Sequence, residues 1–153
     1  NTEDDVLLEA RRSAEVTHDH PEGIKGAQAT ALAVYMARVG RSKDEIRMAM
    51  SERFNYDMQL SIETIRPSYR FNESCQQTVP EAIVAFLDST DYEHAIRLAI
   101  SLGGDADTIA CITGGVAEAF YKRMPEHLVQ YVVDRIPSGL FSTVKEFRSK
   151  FPI

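Results

Sequence analysis

No apolar run in this sequence approaches the ~20 residues that a membrane-spanning helix needs, and no secretory signal pattern is visible. Cysteine is scarce: only Cys75 and Cys111 occur, too few for a disulfide framework, so free thiols and a reducing cytoplasm are expected. Basic charge is also short. Lys and Arg number 17 against 23 Asp and Glu, and the formal net charge of -6 argues against a nucleic-acid partner, because phosphates would meet no cationic excess. The same balance is compatible with a nucleotide-like ligand whose charge a bound metal offsets. Internal repeats, low-complexity tracts and strand-like alternation of credible length are all missing. What is present is hydrophobic residue at 44% of 153 positions, enough to exclude disorder and to bury one core.

Helical signals fill most of the chain. Val6, Leu7, Ala10, Ala14 and Thr17 share one face of a helix over about residues 3–17. Pro21 suits the start of a second helix and Gly40 its end, with Ile24, Ala27, Ala31, Val34 and Tyr35 as its expected inner face. Ser42 and Glu45 have capping-box spacing ahead of Ile46, Met50 and Phe54. Residues 55–77 are irregular and predict a long loop. Thr78 and Glu81 repeat the capping-box spacing, predicting a helix through about Leu87, and Asp91 is placed to cap another that ends at Gly103 and Gly104. Further helices are expected from about Asp105 to Tyr121, from Pro125 through the apolar Leu128, Val129, Val132, Val133 and Ile136, and, as a short last one, around Leu140, Val144, Phe147 and Phe151. The predicted class is all-α, a compact orthogonal helical bundle.

Residues 101–110, Ser-Leu-Gly-Gly-Asp-Ala-Asp-Thr-Ile-Ala, break this pattern with chemistry. Asp105 and Asp107 sit between two apolar segments, where carboxylates carry a desolvation cost unless something neutralises them. A hard divalent cation does so with oxygen ligands from Asp and Thr side chains, and Thr108 adjoins the pair. Gly103 and Gly104 allow a sharp turn and close approach to a ligand. From these residues alone a second reading stays open, a glycine helix end followed by an Asp cap. If a cation binds, Mg2+, or Mn2+ in its place, suits the oxygen-only set better than zinc. An EF-hand is excluded, since Ala110 and Val116 occupy the sixth and twelfth places of the loop. Cys111, just after the loop, reads as a buried thiol rather than a nucleophile.

The run Gly103-Gly104-Asp105-Ala106-Asp107-Thr108-Ile109-Ala110 resembles the C-terminal metal motif of the ADP-ribosylglycohydrolase family, of the dinitrogenase-reductase-activating glycohydrolase type. Gly114 to Tyr121 is similar to the helix that follows there. Thr17-His18 with Pro21, Gly23, Gly26 and the alanines at 27, 29, 31 and 33 resembles the family's His-bearing segment. Thr78-Val79-Pro80-Glu81-Ala82 and the stretch from Asp91 to Ser101 resemble the run into the metal loop. The likeness covers roughly residues 13–121 in order. It implies an all-helical enzyme that removes ADP-ribose from proteins.

Members of that family run about twice this length. Their N-terminal Gly-Asp opening, Thr-Asp-Asp-Thr metal motif and Gly-Asn-Gly phosphate loop have no counterpart here. Thr2-Glu3-Asp4-Asp5 is better explained as a helix cap with acidic residues in its first turn. Residues 1–153 are therefore expected to form the C-terminal part of a single such domain, with an N-terminal half as its missing partner, and little activity alone. The resemblance implies two Mg2+ ions, with Asp105, Asp107 and Thr108 giving half the ligands and Asp107 bridging both. Asp105 and Asp107 would be the catalytic pair, beside the ribose hydroxyls of an ADP-ribose conjugate such as an ADP-ribosylated protein. His18, Gly23 and Gly104 are the implied substrate-binding residues. Glu118 departs from the small residue usual at its place. A non-catalytic relative that binds ADP-ribose or serves a structural role is the alternative. His20 is expected to cap a helix or meet solvent, His94 and His127 to face solvent, and Phe54, Tyr56, Tyr69 and Phe71 either to stack on adenine or to pack.

Overall fold

The computed structural model describes residues 2–151, and those residues form nine helices and no strand. Helix α1 (Glu3–Glu15) starts with the predicted cap. The Thr2 hydroxyl accepts from the Asp5 N–H at 3.2 Å, and the Asp5 carboxylate accepts from the Thr2 N–H at 2.8 Å. Helix α2 (Pro21–Arg38) has Pro21 in its first turn and His20 as cap, its Nδ1 accepting from the Glu22 N–H. Helix α3 (Lys43–Phe54) opens with the Ser42–Glu45 box and closes at Asn55 in the left-handed conformation. After the short α4 (Ile62–Ile65) come α5 (Cys75–Asp88), α6 (Tyr92–Ser101), α7 (Ala106–Tyr121), α8 (Glu126–Val133) and α9 (Ser138–Lys150).

Helix α5 is the centre. Eight of its residues are buried, from Thr78 and Val79 to the unbroken run Ala82–Leu87, so it is apolar on all sides. Helices α2, α6 and α7 pack against it. Small residues set how close they come: a methyl added at Gly26 would stand 3.2 Å from Cys75 Cβ and from Val79 Cγ2, and one at Gly114 would stand 3.2 Å from Ile96 Cδ1. One polar bond crosses this core, from the buried Thr113 hydroxyl to the Ala82 carbonyl at 2.8 Å. The carbonyls left over at the end of α5 receive Lys43, whose ammonium donates to Phe86, Leu87 and Ser89 while lying over the Phe86 ring.

Four expectations change. The inner face of α2 is Gly26, Ala29, Leu32, Ala33, Met36 and Ala37, whereas Ala27 and Ala31 are half-buried beside a groove. With four small residues per two turns, hydrophobic spacing does not single out one face. Helix α5 begins a turn earlier than predicted, at Cys75. Asn72 accepts from the Ser74 N–H, and Thr78 spends its hydroxyl on the Asn72 carbonyl rather than on a cap. Pro80 is accommodated inside that helix. Cys111 is exposed, because α7 turns Ile109, Thr113 and Val116 inward and leaves Thr108, Cys111 and Gly115 outside. The last helix, α9, runs 13 residues and is not short. Among the described residues no helix is long and apolar enough to cross a membrane.

Candidate metal loop and substrate groove

Two glycines make the turn from α6 into α7. Gly103 and Gly104 have φ of 73° and 62°, consecutive left-handed residues that side chains rarely tolerate. The turn is pinned by Leu102 on one side and Ile109 on the other, both buried. Gly104 is also held from outside. A methyl there would meet Tyr69 Cε1 at 2.9 Å and the Phe71 backbone at 3.1 Å, so the 69–71 segment lies directly on the loop. Arg66, a little earlier, donates to the Ser101 hydroxyl at 3.0 and 3.2 Å and ties the end of α4 to the end of α6.

Asp105 stands at the N-cap position of α7, yet its side chain accepts no capping hydrogen bond. It is turned to Asp107 instead. A hydrogen bond from the Asp105 carboxyl, followed by the N–H groups of Asp107 and Thr108, holds the Asp107 carboxyl below the usual carboxylate range. The two carboxyls lie two residues apart at the start of α7, where a cation would relieve their repulsion, and Asp107 and Thr108 are both open to solvent. The donor set is two carboxylates and a hydroxyl. It fits a hard cation in chemistry and supplies part of a coordination shell, because among the described residues no group of three or more His, Cys, Asp and Glu side chains converges.

His18 and Gly23 line a different feature, an open groove of about 540 Å³ between α1, α2, α5 and α7. They are neighbours: a methyl on Gly23 would stand 3.1 Å from the His18 carbonyl oxygen, so a side chain there would push the His18 turn away. The exposed His18 ring shares a 2.8 Å hydrogen bond with the Thr17 hydroxyl through Nδ1. Ile112, one turn along α7 from Thr108, reaches the same groove wall. The structure thus brings Asp105, Asp107 and Thr108 together, brings His18 and Gly23 together, and joins the two sets only through α7. Gly104 meets Tyr69 and Phe71.

Two groups were named in the sequence reading without a role at the loop. Glu81, taken there as a capping residue, has a carboxyl oxygen buried without a protein partner, and burial pushes its pKa up to about 7. Tyr69 has a buried hydroxyl, also unpartnered, and its pKa is raised by burial and by the Glu81 and Asp105 carboxyls. The only signal for either was position, an aromatic and an acid in the run that leads to the metal loop. Of the remaining histidines, His94 bonds to the Thr90 hydroxyl at 3.0 Å, and the exposed His127 stands 3.4 Å from Glu93. Glu118 pairs with Arg148 of α9 at 2.9 Å, which gives its departure from a small residue a local use.

A sequence model of the ADP-ribosylglycohydrolase family matches residues 1–150. The chain belongs to that family. It is 29% identical over 140 residues to an uncharacterized protein of Archaeoglobus fulgidus, covering 82% of this chain and 46% of that protein. It is 28% identical over 169 residues to the ADP-ribosylhydrolase ARH3 of Bos taurus, covering 80% and 46%. A solved structure described as an ADP-ribosylglycohydrolase-related protein complex superposes with a TM-score of 0.64 at 27% identity, over 76% of this chain and 43% of the other. The chain therefore spans about half the length of the relatives it matches. Its all-α fold is that of the family.

Proposed function

We propose that this chain supplies half of a dinuclear Mg2+ site that hydrolyses the bond between ADP-ribose and a protein side chain or related conjugate. The observation that carries the proposal is that Asp105 stands at the N-cap of α7 with Asp107 in its first turn, and Asp105 is free of any capping bond. Asp105, Asp107 and Thr108 would hold the ions, Mn2+ serving in place of Mg2+, and the remaining ligands would come from a further stretch of polypeptide. The ions, when bound, would orient the ribose hydroxyls and lower the pKa of an attacking water. The chain's own residues do the rest of the positioning. The Asp105 and Asp107 carboxylates face the positive charge that develops on the ribose as the glycosidic bond breaks. His18 offers an imidazole N–H to the diphosphate or distal ribose, and Gly23 keeps that turn close to the ligand. The Gly103–Gly104 turn fixes the carboxylates in advance, so no chain motion is needed when substrate arrives.

Magnesium-dependent thermal stabilisation by ADP-ribose, followed by release of ADP-ribose from a modified protein, tests this reading. Asp107→Ala is expected to abolish both while leaving the metal-free melting temperature within about 2 °C, since the residue is exposed. Stabilisation without turnover would favour a binding protein over an enzyme. Neither effect in the protein completed with the stretch that carries the remaining ligands would overturn the proposal.

A further inference from the structure

We propose that Tyr69 is a positioning residue of the metal loop, its ring setting the place of Gly104 and its hydroxyl orienting the Asp105 carboxyl for a cation. The inference rests on the reading that Asp105 and Asp107 bind metal. Three observations meet at this point. The Tyr69 ring is in contact with Gly104, the residue before Asp105, at a separation that leaves no room for even a methyl group. Its hydroxyl is shielded from solvent and has no protein partner, a costly arrangement unless a partner arrives in another state. The Glu81 carboxyl and the Asp105 carboxyl both act on that phenol electrostatically, so it stands in the field of one buried acid and one candidate ligand.

The Tyr69 ring rests on the residue next to Asp105. A carboxylate that binds a cation through one lone pair keeps further lone pairs that can accept hydrogen bonds. The buried phenol O–H of Tyr69, without a partner of its own, is a donor suited to such a carboxylate. Groups that bond to metal-ligating side chains fix their rotamers, and losing one costs about 10-fold or more in metal affinity. The half-buried Glu81, with one carboxyl oxygen buried and unpartnered, acts on the same phenol electrostatically.

Mn2+ binding to the intact protein, followed by the loss of the free-ion electron paramagnetic signal, tests this directly. Tyr69→Phe keeps the ring on Gly104 and removes only the hydroxyl. It is expected to weaken Mn2+ binding about 10-fold and to alter the line shape of the bound ion, with the metal-free melting temperature unchanged or slightly raised. Tyr56→Phe is the control. It removes another buried, unpartnered phenol hydroxyl, in a cavity lined by Glu22, Lys25 and Glu81 but by no residue of the 101–108 loop, and should leave Mn2+ affinity unaltered. Equal affinity in Tyr69→Phe and wild type, or an equal loss in both variants, would overturn the role of Tyr69 while leaving the metal site standing. A wild-type protein that carries the remaining ligands and takes up no Mn2+ would instead overturn the metal reading itself, and this inference with it.

Discussion

Helix α5 and the α8–α9 pair are built from similar material and end in opposite conditions. Helix α5 buries eight residues, among them Phe86 at 0% exposure, and meets α2, α6 and α7. Helices α8 and α9 carry apolar stripes of their own, yet neither buries a single residue. Their Leu128, Val132, Phe141 and Val144 surround an apolar cavity of about 260 Å³, and the exposed Phe147 and Phe151 rings meet at a tilt of 42° with centroids 5.0 Å apart. A stripe reports that a helix has a face to cover. It does not report how many neighbours cover it, and stability follows the neighbours.

The largest effect is expected where coverage is complete. Phe86 touches Phe120 and Tyr121 edge-on, with centroids 5.2 and 6.3 Å away, and supports the Lys43 ammonium on its ring. Phe86→Ala leaves a void that surrounding helices cannot fill without breaking the Lys43 cap, so a loss of about 3–5 kcal/mol is expected in urea denaturation. A loss under about 2 kcal/mol would mean that the core closes over the gap, and that α5 is less firmly held than its burial implies.

Within α5 the exception is Glu81, half-buried in a helix otherwise given to apolar packing. Its carboxyl titrates near 7 when folded against 4.5 as the ordinary value, so the folded state binds the extra proton between those limits. Stability from this group is present in full below pH about 4.5 and is lost as pH rises through 7. Glu81→Gln should therefore match the wild type at pH 4.5 and exceed it at pH 8. The gain is expected to be about 1 kcal/mol, smaller than the whole shift implies because solvent screens part of the carboxyl. Thermal melts across that range check it, and a variant less stable than wild type at pH 8 would show that the carboxylate has a partner there.

Much of this was legible in the residues. Caps are local, and the Thr2–Asp5 and Ser42–Glu45 boxes form as their spacing predicts because both partners lie within one turn. The Asp91 cap and the two-glycine turn were readable for the same reason. Thr78–Glu81 had the same spacing and failed, since a carbonyl six residues back claimed the hydroxyl. That competitor is local but lies outside the four-residue frame of the spacing rule, in the turn that starts α5 at Cys75. The face of α2 was misread because alanine fits core and groove alike, and only the neighbours Cys75 and Val79 decide which side Gly26 must occupy. At the candidate site, Asp105, Asp107 and Thr108 stood out as polar groups in an apolar run. Tyr69 did not, because its importance comes from contact with Gly104 across 35 positions of chain, and no local pattern encodes that contact.

The smallest effect is expected in α9, and it is the sharpest test of the comparison. Phe147 is 61% exposed and shares the rim of an apolar cavity with Val34, Met124 and Phe151. Phe147→Ala should change stability by no more than about 0.5 kcal/mol, the usual range for surface positions, although it deletes the same side chain as Phe86→Ala. The amides of α8 and α9 should correspondingly exchange with solvent before those of α5, because few buried contacts oppose their opening. The two measurements separate the causes. A large loss on Phe147→Ala with fast exchange would place the effect on the unfolded or associated state rather than on packing in this fold. A large loss with slow exchange would show that the α8–α9 pair is docked as firmly as the core, and the contrast between the two regions would be gone.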